Sequence, residues 1–172
     1  SRFPQSQAKS KIRGNKEQNM STITGKVWKF GDAIDTDIII PARYLVLPID
    51  EMKHKAMEPL RPEFAAQVGK GDVIVGGRNF GCGSSREQAP AVLKELGISA
   101  IVAVSFARIF FRNAINLGIP VVECQDAYQK VNEGDTLEID FSSGKLRAPD
   151  RDMSFSGSKL PDFLLEIIED GG

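Results

Sequence analysis

The chain has 172 residues, 41% of them hydrophobic, with 22 basic and 23 acidic side chains and a formal net charge of -1. That is enough apolar material for one core, and the scattered Lys and Arg form no basic stripe, which disfavours nucleic acid as a partner. No apolar run approaches the roughly 20 residues that cross a bilayer, and no signal-peptide core stands near the start, so a soluble, cytoplasmic protein with no membrane partner is expected.

Residues 1–19 are polar and mostly basic, with Arg2, Lys9, Lys11, Arg13 and Lys16 against Glu17. They show neither a helical nor a strand period, so residues 1–20 are expected to be a disordered N-terminal extension and residues 21–172 a single folded domain. The strand pattern that begins just after Met20 suggests a natural start there; a processed transit peptide is the second reading.

A first strand is expected over residues 23–30, then the acidic turn Gly31-Asp32-Ala33-Ile34-Asp35-Thr36-Asp37 and the apolar run Ile38-Ile39-Ile40 stopped by Pro41. A loop over 43–49 precedes a short helix over 50–57 capped by Asp50, and Pro59 and Pro62 break the stretch beyond it. Asp72-Val73-Ile74-Val75 reads as a buried strand. From Gly76 the pattern is glycine-rich loop, helix (85–96), strand (99–104), helix (106–117) and strand (119–122), with Gly97 and Gly118 placed to end the two helices. This alternation defines βαβ units. Strands over 136–141 and 145–147 around Ser142-Ser143-Gly144 add antiparallel pairing, and a helix is expected over 161–169. The fold class is therefore α/β, with a mostly parallel central sheet flanked by helices and additional antiparallel strands.

The segment with the most chemical content is Gly76-Gly77-Arg78-Asn79-Phe80-Gly81-Cys82-Gly83-Ser84-Ser85-Arg86-Glu87-Gln88, between a buried strand and a helix. Ligands bind at such junctions in open α/β sheets, and glycines with free helix-start N–H groups suit a carboxylate or phosphate. The phosphate-binding P-loop fails for want of a Lys after Gly83, and the dinucleotide fingerprint fails because Arg86 replaces its third glycine. A plain structural alternative is that Ser84 and Glu87 form a capping box around a tight turn. Pro90 would kink a helix that already started at Ser85, which argues for a later start.

The run from Asn79 to Glu87 is similar to the signature of the swivelling domain of aconitases and of isopropylmalate isomerase small subunits. The likeness extends to Gly31-Asp32, Asp35-Thr36-Asp37 and Ile40-Pro41, and to Ser105-Phe106-Ala107-Arg108-Ile109-Phe110-Phe111-Arg112-Asn113-Ala114-Ile115-Asn116-Leu117-Gly118. Gln88 departs from the His of many relatives. The resemblance implies a swivelling β/β/α domain and a hydro-lyase subunit, active only with a large subunit that binds a 4Fe-4S cluster through three cysteines. It implies Ser84 as the base that removes a proton next to a carboxylate, supported by Arg86. Ser85 and Arg86 are implied to hold a substrate carboxylate and Asp37 to orient the site, although an Asp in such a loop also suits a backbone cap.

Tyr44-Leu45-Val46-Leu47 resembles the family's specificity loop, where relatives acting on citrate-like substrates carry Arg after Tyr-Leu. Val46 there suits an isopropyl group, whose burial contributes roughly 1.5–3 kcal/mol, and cannot compensate a third carboxylate. Leu45, Val46 and Leu47 also fit a reading as core. The implied activity is isomerisation of 2-isopropylmalate to 3-isopropylmalate in leucine biosynthesis. Alternatives are a citramalate, dimethylmalate or homoaconitate type of dehydratase, and a non-catalytic carboxylate-binding protein. No metal site is expected on this chain, because Cys82 and Cys124 lack metal spacing and two thiols do not hold a four-iron cluster. His54 reads as a surface or packing residue and Trp28 as core.

Overall fold

The computed structural model describes residues 21–172, so the expected extension over 1–20 lies outside the described residues. In chain order the elements are β1 (Thr22–Lys29), α1 (Thr36–Ile39), a 3-10 turn (Ala42–Tyr44), α2 (Ile49–Met52), a second 3-10 turn (Lys53–Lys55), α3 (Phe64–Gln67), β2 (Val73–Gly76), α4 (Gln88–Glu95) and β3 (Ala100–Ala103). They continue with α5 (Arg108–Asn116), β4 (Val121–Glu123), α6 (Gln125–Lys130), β5 (Thr136–Asp140), β6 (Lys145–Ala148), β7 (Met153–Ser156) and α7 (Asp162–Glu169).

The strands form one seven-stranded sheet in the order β4-β3-β2-β1-β5-β6-β7. β1 joins its two halves. Val27 to Lys29 pair in parallel with β2, while Thr22 to Lys26 pair antiparallel with β5. β2, β3 and β4 continue the parallel side, and β5, β6 and β7 the antiparallel side. Every residue of β2 and β3 is buried, as expected of strands covered on both faces. In β6, Leu146 and Ala148 are buried while Lys145 and Arg147 are exposed, the alternation of a sheet with one wet face.

The crossovers from β1 to β2, β2 to β3 and β3 to β4 all step in one direction. Right-handed connections then place their helices on one face, where α4 and α5 pack together. The chain must return from β4 to β5 across the opposite face, and α6 on that path packs on β2, β3 and β7.

Several elements differ from the sequence expectation. The stretch read only as an apolar run at 38–40 divides: Ile38 and Ile39 close α1, where the Asp35 carboxylate accepts from Ile38 N at 2.8 Å and caps the helix, and Ile40 is extended at its C-cap. The helix expected over 50–57 shrinks to α2, with Pro48 and not Asp50 at its N-cap, and gives way to a 3-10 turn. The helix expected from residue 85 starts at Gln88. Pro90 is thus its third residue, where no intrahelical N–H bond is lost and no kink arises. α6 and β7 were not foreseen, since each is short and buries a single residue, Ala127 and Phe155, too little for its pattern to stand out in the sequence.

Candidate functional site

The carboxyl ends of β1, β2 and β3 lie side by side, and the loops that leave them are joined by backbone hydrogen bonds. Gly77 N donates to Gly31 O (2.9 Å), Ala33 N to Arg78 O (2.8 Å), Gly81 N to Ile34 O (2.7 Å) and Thr36 N to Cys82 O (2.8 Å). Asp32 Oδ1 accepts from Arg78 N at 2.7 Å. On the other side Phe80 N donates to Ser105 O and Ala107 N to Phe80 O, both at 3.0 Å. The glycine-rich loop is therefore the middle rib of three.

Gly81 shows why this rib admits no side chain at that point. Its φ is +82°, and a Cβ would sit 2.1 Å from Cγ of buried Phe110. Gly83, at φ +94°, passes over Thr36, whose Oγ1 would be 3.4 Å from a Cβ. Beyond it, Ser84, Ser85 and Arg86 line a cavity of about 330 Å³ together with Thr36, Arg108 and Asn113.

Ser84 and Ser85 are exposed, and neither hydroxyl has a hydrogen-bond partner among the described residues. The amides of residues 83–87 likewise donate no hydrogen bond among the described residues. The capping-box alternative is not realised: the N-cap of α4 is Glu87, whose backbone is helical and whose side chain makes no capping bond.

Arg86 has a second task that the sequence did not reveal. Its NH1 donates to Ile40 O at 2.7 Å, and lies 3.3 Å from Asp37 Oδ1 and 3.4 Å from Thr36 O. With its side chain only 12% exposed, it ties the carboxyl end of α1 to the glycine-rich loop. The Nε and NH2 edge makes no hydrogen bond among the described residues. Asp37 accepts from Ala42 N at 3.1 Å as well as from Arg86, and these bonds, the Ala42 amide first, hold its carboxyl below the ordinary value. The helix cap is Asp35, so Asp37 is a link between Arg86 and the loop after α1.

Leu45 and Val46 lie outside the lining of the Ser84 cavity, on the next stretch of that loop. Val46 is 88% exposed and is not core, whereas Leu45 and Leu47 are half-buried and packed against the core. Tyr44 anchors this stretch: its hydroxyl donates to Glu58, and the Arg43 guanidinium lies 4.6 Å over its ring and 3.1 Å from the same carboxylate. Thr36, Arg108 and Asn113 were not singled out from sequence. The last two stand at the start and in the middle of α5, where they were read as part of a packing helix. His54 is exposed, and Trp28 is buried with its Nε1 on Asp72 at 2.8 Å.

A larger depression of about 530 Å³ lies over β5, β6 and β7, where Glu138, Asp140, Lys145 and Arg147 stand. It is the wet face of the antiparallel strands, with Arg147 paired to Glu138 at 3.4 Å, and the glycine-rich loop takes no part in its lining. No group of three His, Cys, Asp or Glu side chains comes together as metal ligands among the described residues. Burial first, and then the Asp35 carboxylate, push the Cys82 thiol up; burial does the same to Cys124. These residues do not fit a four-iron cluster.

Comparison with known proteins gives this architecture its class. Residues 52–127 match the family described as the aconitase C-terminal domain. The isopropylmalate/citramalate isomerase small subunit of Methanocaldococcus jannaschii is 52% identical, covering 88% of this chain and 91% of that protein. The methanogen homoaconitase small subunit of Methanothermobacter thermautotrophicus is 54% identical, covering 87% of each. A crystal structure of 3-isopropylmalate dehydratase from Methanocaldococcus jannaschii matches with a TM-score of 0.83 at 40% identity, covering 88% of this chain and 90% of that one. The chain belongs to the 3-isopropylmalate dehydratase small-subunit family of the aconitase superfamily, and it is a subunit of a hydro-lyase. No helix among the described residues is long and apolar enough to cross a membrane.

Proposed function

We propose that this chain completes the active site of a 3-isopropylmalate dehydratase, in which Ser84 removes and returns the proton that interconverts 2-isopropylmalate and 3-isopropylmalate through an alkene. The observation that carries this reading is the state of Ser84. Its hydroxyl caps no helix, stands at a cavity beside a guanidinium, and is flanked by amides without partners among the described residues.

A serine hydroxyl is a poor base in water, so the site must be closed and dry for this role, and exposed Ser84 calls for a larger partner subunit over it. That partner is proposed to bring the four-iron cluster, which supplies a Lewis acid for the substrate hydroxyl and one carboxylate. On this chain, the amides of residues 83–87 would stabilise the serine alkoxide. Ser85 and the free Nε and NH2 edge of Arg86 would hold the carboxylate next to the reacting carbon. Asp37 would keep Arg86 in place.

Substrate choice does not follow from identity, because relatives named for different substrates are 52% and 54% identical to this chain. It is proposed to rest on Val46, with Leu45 behind it. A third carboxylate would need a cation on this loop, yet Arg43 is held by Glu58 and Tyr44, and Val46 offers only methyl groups. An isopropyl group fits such a wall.

The test is co-expression with a cluster-bearing large subunit, followed by kcat/KM on isopropylmalate, citramalate, dimethylmalate and homocitrate-type substrates. Isopropylmalate should lead, and Val46→Arg should move the ratio toward the substrate with an acidic side chain by about tenfold or more. An unmoved ratio would remove Val46 as the selector. A purified complex without turnover on any of these acids would leave a carboxylate-binding protein as the better reading.

A further inference from the structure

Thr36 is the one buried polar side chain among the described residues, 3% exposed, and every polar atom it has is directed at the loop that carries Ser84 or at α1 itself. Its hydroxyl donates to Ser84 O at 3.0 Å and its amide to Cys82 O at 2.8 Å, while its carbonyl receives Ile40 N at 2.9 Å and faces Arg86 NH1 at 3.4 Å. A buried hydroxyl is retained where it satisfies a specific partner, because leaving it unpaired costs free energy. Here the partner is the carbonyl of Ser84 itself.

These bonds also set a direction. In a trans peptide the C=O and the following N–H point in opposite directions. With the carbonyls of Cys82 and Ser84 both turned toward Thr36, the amides of Gly83 and Ser85 are turned away from it. These are two of the amides that have no partner among the described residues on either side of Ser84. Gly83 makes the turn between these two carbonyls possible through its left-handed backbone, at φ +94°, in van der Waals contact with Thr36.

We infer that Thr36 is a positioning residue for the reaction: its side-chain hydroxyl fixes the Ser84 peptide so that the Ser84 hydroxyl and the Gly83 and Ser85 amides present a set geometry to the substrate. The inference rests on the reading of Ser84 as the base. It is distinct from a packing role, because Val fills the same volume without the hydroxyl and Ser keeps the hydroxyl without the methyl.

The experiment uses the complex of the full chain with its large subunit and compares Thr36→Val, Thr36→Ser and Ser84→Ala, singly and with Thr36→Val added to Ser84→Ala. Thr36→Val should lower kcat by about 10–100-fold with KM changed by less than about threefold, the scale of a misplacement of an ångström or less. Thr36→Ser should stay within about fivefold of wild type. Added to Ser84→Ala, Thr36→Val should cost little further, since the hydroxyl it positions is gone and the positioned amides have no alkoxide left to stabilise. If the valine chain does not fold, Thr36→Ala carries the same expectation against Thr36→Ser. The inference is overturned if Thr36→Val keeps its kcat, if Thr36→Ser falls as far as Thr36→Val, or if the valine lowers the residual rate of Ser84→Ala by its full factor. An active Ser84→Ala would instead strike at the reading of Ser84, which keeps the two failures apart.

Discussion

Replacing Ser84 by alanine separates a catalytic serine from a structural one, and the structure sets both magnitudes. A serine at a true N-cap costs about 1 kcal/mol when removed, within a range of about 0.5–2 kcal/mol. Ser84 is no such cap: α4 begins at Gln88, Glu87 occupies the N-cap, and the exposed Ser84 hydroxyl has no partner to lose among the described residues. The expected change in stability is therefore below about 0.5 kcal/mol, as for surface substitutions generally. At about 2–4 °C per kcal/mol for a chain of this size, Tm should move by less than about 2 °C. Loss of a general base, in contrast, should lower kcat by about 10²–10⁴. Thermal unfolding of the chain and steady-state turnover of the complex measure the two quantities on one preparation. A fall in Tm of several degrees with kcat near wild type would refute the reasoning, because it would make Ser84 a cap and leave the reaction without its base.

Other expectations rest on the same contacts. Gly81→Ala must hold a left-handed backbone, at about 1–2 kcal/mol, and push buried Phe110 aside, so a loss of roughly 2–4 kcal/mol and of about 5–15 °C in Tm is expected by calorimetry. Gly83→Ala shares the backbone cost, but its Cβ meets Thr36 at an ordinary distance, so it should lose only about 1–2 kcal/mol, and equal losses at the two glycines would contradict the packing described. Glu133 is held below its ordinary value first by the Arg61 guanidinium, against some burial, and then by the Lys29 amide. A depressed carboxyl stabilises the fold above its unfolded value and ceases to do so as pH falls through its folded one. The Tm deficit of Glu133→Gln should thus be present at pH 7 and fade as pH falls below the ordinary carboxylate range through the depressed folded value, and a deficit that persists once the carboxyl is protonated would assign it to packing.

The apolar runs at Val73 to Val75 and Ala100 to Ala103 were legible as buried strands because strand type is carried by the residues themselves. Gly97 and Gly118 were legible as helix ends for a similar reason, and both adopt the left-handed backbone expected of them, at φ +93° and +87°. The glycine-rich loop and the helix after it were legible too, and the structure sets Ser84 and Arg86 in the lining of one cavity, since they lie two residues apart. The rest depended on partners remote in sequence. Ile38 to Ile40 read as an apolar run, but Ile38 N donates to the Asp35 carboxylate and Ile40 N to Thr36 O, which makes residues 36–39 a helical turn. β1 had no visible reason to serve a parallel and an antiparallel neighbour at once until β2 and β5 arrived on its two sides. Thr36 looked like one more residue of an acidic turn, and its hydroxyl acquired a purpose only when the chain brought Ser84 O, 48 positions later, to 3.0 Å from it. Val46 was ambiguous for the same physical reason: a valine in sequence states only that it avoids water, and it is the tertiary structure that turns Tyr44, Leu45 and Leu47 toward the core and leaves Val46 exposed.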